Sequence, residues 1–132
     1  MAQGMSTDFK LTPHAEYVHV QLAPEYEITP GGATALTMAI SDACTQQGLR
    51  RVLVEGTIAR RQMGMMDSFA QGSLAGTMLT GISLAYCFYG YAPDEQTAFF
   101  KDVAQNRGVR VEFFREREAA LRWLGLGVEP AR

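Results

Sequence analysis

An excess of charge of either sign is missing from this chain. Twelve lysines and arginines stand against 14 aspartates and glutamates in 132 residues, a formal net charge of -2. That balance carries no electrostatic footprint of nucleic-acid binding, so no nucleic-acid partner is expected. Long apolar runs are missing as well: none approaches the ~20 residues that cross a bilayer, and no integral membrane segment is expected. Met1 to Asp8 lacks the basic and apolar regions of a secretory signal, which makes the cytoplasm the expected address. Cysteine is scarce. Cys44 and Cys87 both sit in apolar stretches without a metal-ligand neighbour at short spacing, and they read as small buried hydrophobes in a reducing compartment. The two histidines, His14 and His19, have no clustered Cys or Glu, while a metal site needs three or four converging ligands. Neither a metal nor a cofactor is therefore predicted. Gly56 to Gly64 lacks the lysine and spacing of a P-loop, and no G-x-G-x-x-G opens a helix. Ser68 and Cys87 have no motif-linked histidine, so an enzyme is the weakest reading of the chain.

What is present is one ordinary globular domain, 1–132, with 47% hydrophobic residues and no internal repeat, low-complexity segment or boundary. The ends, 1–8 and 125–132, are expected to fray. A short apolar segment from Phe9 to Leu11 stops at Pro13. Tyr17 to Leu22 alternates apolar Val20 and Leu22 with His19 and Gln21, which predicts a strand with one buried face. A short strand is possible around Tyr26 and Ile28. Thr29 then suits an N-cap and Pro30 a first helical position. Ala33, Leu36, Ile40, Ala43 and Cys44 form the stripe of a helix that stops at Gly48. Val52-Leu53-Val54 reads as a buried parallel strand, and Gly56 to Met66 as irregular. A helix is predicted from about Asp67 to Leu79, with Ala70, Leu74 and Met78 on one face and Gly72, Ser73 and Gly76 on another, where a neighbour could approach closely. Ile82 to Tyr89 is a strand. Pro93-Asp94-Glu95 opens a helix that ends at Asn106-Arg107-Gly108, Val109 to Phe114 is a strand, and Glu116 to Leu124 is a last helix. Alternating strands and helices predict an α/β fold: a single-layer, mixed but mostly parallel sheet with packed helices.

The stretch from about Tyr17 to Leu124 resembles the SpoIIAA-like branch of the STAS domains. The matching pieces are QQGLRRVLVEG, then DSF at the second long helix, then AYCFYGYAPDEQTAFFKDVAQNRGVRVEFFREREAALRWLG. The resemblance implies a STAS-type mixed sheet and a role in binding regulators. Some STAS proteins switch on phosphorylation of a serine at the start of the second helix, and some SpoIIAA-like members are grouped with SEC14-type lipid-binding domains.

The residues singled out lie between positions 56 and 69. Asp67-Ser68 matches the first half of the Asp-Ser-Ser-Gly-like switch motif, with Phe69 and Ala70 replacing the rest. A phosphate on Ser68 would meet free backbone N–H groups and the positive end of the helix dipole; alternatively, Asp67 or Ser68 simply caps the helix. Arg60 and Arg61 follow a central strand, where open α/β sheets bind ligands, and could hold a carboxylate or phosphate, or stay solvated. Met63, Met65, Met66 and Phe69 form a soft apolar cluster that is either a contact surface or folds back on the core. Tyr86, Tyr89 and Tyr91 read as packing residues or as an aromatic wall. The first functional reading is a non-enzymatic STAS-like regulatory module that recognises a protein partner or small ligand near 56–69, with a homodimer as one expected form. The second is a carrier of a lipid-like apolar ligand, with a pocket reaching Met65, Met66 and the tyrosines.

Overall fold

The computed structural model describes residues 8–61, 63–90 and 92–126, leaving out the side chains of residues 59 and 60. In chain order the elements are β1 (Phe9–Pro13), β2 (Val18–Leu22), β3 (Tyr26–Ile28), α1 (Pro30–Gln47), β4 (Arg51–Arg61), α2 (Met65–Met78), β5 (Ser83–Tyr89), α3 (Glu95–Asn106), β6 (Arg110–Phe114) and α4 (Arg117–Trp123). They build one six-stranded sheet of order β1-β2-β4-β5-β6, with β3 paired to β4 off that path. Among the described residues only the β1–β2 hairpin is antiparallel; every other pairing is parallel.

Period-two alternation sorts the side chains between two cores. Val18, Val20, Val52, Val54, Leu84, Tyr86, Phe88 and Val111 point to the larger core with α1 and α2. Leu53, Ala85 and Cys87 point to the opposite face, where Ala120 and Leu124 of α4 cover them. Successive parallel strands step across the sheet in one direction, so right-handed crossovers place α1, α2 and α3 on the same side.

The caps of α1 are local and match their expectation. Thr29 Oγ1 accepts from Gly32 N–H at 3.1 Å, Pro30 opens the helix, and Gly48 closes it in the left-handed region at φ 68°. Three expectations need correction. The 56–66 segment is not irregular throughout, because β4 continues to Arg61. Its second half pairs with β3, Tyr26 against Ile58 and Ile28 against Arg61, and a ladder formed at a distance overrides a weak local pattern. Gly56 does not break this strand; it makes room for Leu22, whose Cβ lies 2.7 Å from where a Gly56 Cβ would stand.

The second correction concerns the start of α2, which lies at Met65 rather than Asp67, with Gly64 as N-cap. The close approach expected at Gly72 and Gly76 is present. Ser68, Gln71, Gly72, Ala75 and Gly76 are buried, whereas Ala70 is exposed and Leu74 and Met78 are half-buried. The reason is that α2 lies between two helices. Gln71 bonds to α1, and Gly72 and Gly76 abut α3, so small and polar residues occupy the covered side. Last, the tail is anchored as far as Leu126, which is buried against α4 and donates its N–H to Leu121 O at 3.0 Å.

Candidate functional site

A cavity of about 90 Å³, half open to solvent, lies between the large-core face of the sheet and helices α1, α2 and α3. Its floor is aromatic: Tyr86 and Phe88 of β5 and Phe113 of β6, with Tyr86 stacked on Phe113 at 5.0 Å. Leu22, Tyr26 and Ile28 close one side, Ala33, Leu36 and Thr37 of α1 another, and Phe100 of α3 a third. Arg61, Met63, Ser68, Gln71, Gln96 and Thr97 complete the wall. These residues gather at the carboxyl ends of the parallel strands, where open α/β sheets leave room for ligands.

The polar groups of the wall are unequally satisfied. Arg61 Nη1 donates to Asp94 Oδ1 at 2.9 Å and to Thr97 Oγ1 at 3.2 Å, and its Nη2 donates to Asp94 Oδ2. Asp94 also caps α3, accepting from Thr97 N–H at 3.0 Å. The Arg61 hydrogen bond first, then the donors of Thr97, hold the Asp94 carboxyl well below the usual carboxylate range. Gln71 spans from α2 to α1: its Nε2 donates to Pro30 O at 3.2 Å and to Thr34 Oγ1 at 3.0 Å. Its Oε1 is buried without a donor among the described residues, and so is Oε1 of Gln96. Burial pushes the Tyr86 hydroxyl far above the ordinary tyrosine range, with nearby Tyr26 adding to the shift, so it stays a neutral phenol.

The double use of Asp94 leads to a measurable expectation. Asp94→Ala removes a helix cap and should lower stability by about 1 kcal/mol in urea unfolding. Asp94→Asn, which keeps a cap oxygen, should recover most of that loss; an asparagine variant as weak as the alanine one would mean that the cap is not what Asp94 contributes.

The residues singled out from the sequence divide into two groups. Arg61, Met63 and Ser68 enter the cavity wall. Met65, Met66 and Phe69 stay outside it, 44%, 78% and 41% exposed, so the pocket does not reach Met65 and Met66 as expected. Asp67 does act at the helix start: its Oδ2 accepts from Gly64 N–H at 3.0 Å. Ser68 does not cap. It is the fourth helical residue, 2% exposed, and a phosphate there would require the helix to shift away from the sheet. The Arg60 side chain and Tyr91 lie outside the described residues. Of the other tyrosines, Tyr86 belongs to the cavity, and Tyr89 packs on the α4 side of the sheet. Gln71 and Gln96 were missed. For Gln71 a signal existed: it follows Ser68 by three residues and shares the small-residue face of α2.

A second polar cluster lies on the α4 side of the sheet. Glu55, 7% exposed, meets His19 Nε2 at 2.7 Å and accepts from the Tyr89 hydroxyl at 2.7 Å, with Arg117 Nε at 3.4 Å. The His19 hydrogen bond first, aided by Tyr89 and Arg117, lowers the Glu55 carboxyl against the opposing effect of burial. Burial raises the neighbouring Cys87 thiol, and no group of three or more candidate ligands fit to hold a metal ion occurs among the described residues. No helix among these residues is long and apolar enough to cross a membrane. No family model matches the chain, and no curated protein matches it.

Proposed function

We propose that the chain is a non-enzymatic binding module of the STAS-like, SpoIIAA-like kind, holding a small ligand beside the 56–69 segment. The observation that carries this reading is the cavity itself, whose wall takes in Arg61, Met63 and Ser68 from that segment. Its chemistry favours binding over catalysis. The wall is aromatic and aliphatic with amide and hydroxyl groups, and the Arg61 guanidinium is engaged by Asp94. Pockets of this composition orient a ligand through a few placed polar atoms. A SEC14-type carrier of a long lipid fits less well, because about 90 Å³ is too small for an acyl chain.

The exposed Met65, Met66 and Phe69 favour a second use of the same segment, docking of a protein partner or a second copy of the chain. Both uses suit a cytoplasmic regulator, in which one short stretch has Met63 in the pocket wall and its neighbours outside.

Native mass spectrometry of the purified protein tests these readings together. A retained small-molecule mass is expected, and it should disappear in Ala33→Phe, which fills the cavity from α1. A wild-type protein that carries no adduct, and whose thermal midpoint no small apolar compound raises, would count against the ligand reading. A dimer that dissociates on Phe69→Glu would support the second.

A further inference from the structure

The direction of the Gln71 amide is set by its surroundings. Pro30 O can only accept, so the atom facing it at 3.2 Å is the Nε2 donor, and the other end of the amide is the carbonyl. That carbonyl oxygen is buried with no donor among the described residues, on a cavity-lining residue only 7% exposed. Gln96, on the facing helix α3, lines the same cavity with an amide whose buried end is unpartnered among the described residues. Buried acceptors left without donors are destabilising, and they become favourable contacts when an occupant brings the missing hydrogen.

The charge at the site points the same way. Asp94 occupies the Arg61 guanidinium through both carboxylate oxygens, so a carboxylate already stands where an anionic ligand would dock. An incoming anion would meet that carboxylate, and the Gln71 oxygen offers it no donor, while it loses its own water. Around these oxygens the wall is aromatic: Tyr86, Phe88, Phe100 and Phe113.

Resting on the ligand-binding reading above, we infer that the cavity takes a small neutral molecule with an apolar, single-ring-sized body and an O–H or N–H donor, of the phenol class. It selects against the carboxylate and against the hydrocarbon of the same size. Size sets a limit on this occupant: benzene fills a cavity of about 150 Å³, so a single ring must lie partly in the open mouth. The present one is about 90 Å³, half open, and walled in part by the adaptable thioether side chain of Met63.

The test is a matched set of three probes, phenol, toluene and benzoate, titrated into the wild-type protein and followed by amide NMR. The Gln71 side-chain NH2 resonances report occupancy of this cavity. Phenol should bind at least about tenfold more tightly than toluene and than benzoate, and should move the Gln71 signals. In Gln71→Leu the phenol preference over toluene should fall towards one. Gln96→Leu is the companion variant, because Gln96 makes no bond that the fold visibly needs, and it should reduce the same ratio. Toluene as tight as phenol, benzoate tighter than phenol, or a ratio unchanged in both variants would overturn the inference while leaving a ligand pocket in place. Binding by none of the three would remove the ligand reading itself.

Discussion

Replacing Glu55 with alanine is expected to cost about 2–3 kcal/mol, a fall in thermal midpoint on the order of 10 °C. The carboxylate is enclosed between His19, Tyr89 and Arg117, and its loss leaves three donors facing an empty space. Arg117 is half exposed and recovers water, which keeps the cost below that of a fully buried pair. The pH dependence follows from the direction of the shift. The folded carboxyl titrates below the ordinary glutamate value of about 4.3, so the unfolded chain binds this proton more readily than the native one. The Glu55 contribution is therefore complete above that ordinary value, and it is lost as the pH falls through the lower native one. Urea unfolding from pH 7 down to 3 should show wild type and Glu55→Gln well separated at neutral pH and converging in acid. Two curves that stay parallel throughout would mean that Glu55 is not the group responsible.

The Glu55 cluster also shows where sequence reading stops. Glu55 reads as the polar end of the Val52–Val54 strand, but its partners His19 and Tyr89 lie 36 and 34 residues away. Only the parallel registers of β2, β4 and β5 bring them together. What was legible was local. Thr29, Pro30 and Gly48 bound α1 by capping chemistry that acts within a turn, and the alternation in Val18–Leu22 assigns its faces without any partner. The second half of β4 was not legible, since Ile58 to Arg61 owes its extended form to the short β3 beside it.

The candidate site follows the same division. A cleft beside the end of a central strand follows from parallel topology alone, and this pointed to Arg61; Met63, from the methionine cluster, and Ser68, from the motif match, line the same cavity. Which side chains of that segment turn inward could not be read, because it depends on how α2 rolls between α1 and α3. A period-of-four stripe places Ala70 and Leu74 inside, and close helix packing places Gln71 and Ala75 there instead. The apolar pattern competes with the need of two helices to touch, and contact at Gly72 and Gly76 prevails.

That contact makes the second large expectation. A Cβ added at Gly76 would stand 2.5 Å from both Cβ and Cδ of Arg107 and 3.0 Å from its Cγ. The Arg107 Cδ could swing away, but its Cβ is fixed to the backbone at the end of α3. Gly76→Ala should therefore push α2 and α3 apart, at a cost of roughly 3 kcal/mol of overpacking. The gain of about 1 kcal/mol in helix propensity leaves a net loss of about 2 kcal/mol. Arg107→Gly removes all three clashing atoms, together with the Arg107 bond to Val103 O and its position over the Phe69 ring. The double variant relieves the clash while giving up those Arg107 contacts, and should recover about 1 kcal/mol of the loss. Because α2 carries Ser68 and Gln71 while α3 carries Gln96, Thr97 and Phe100, the single variant should also weaken any cavity ligand, and the double variant should restore it. Equal losses in the single and double variants would show that the two helices do not depend on a bare backbone at position 76, and with it that the cavity roof is not set by their approach.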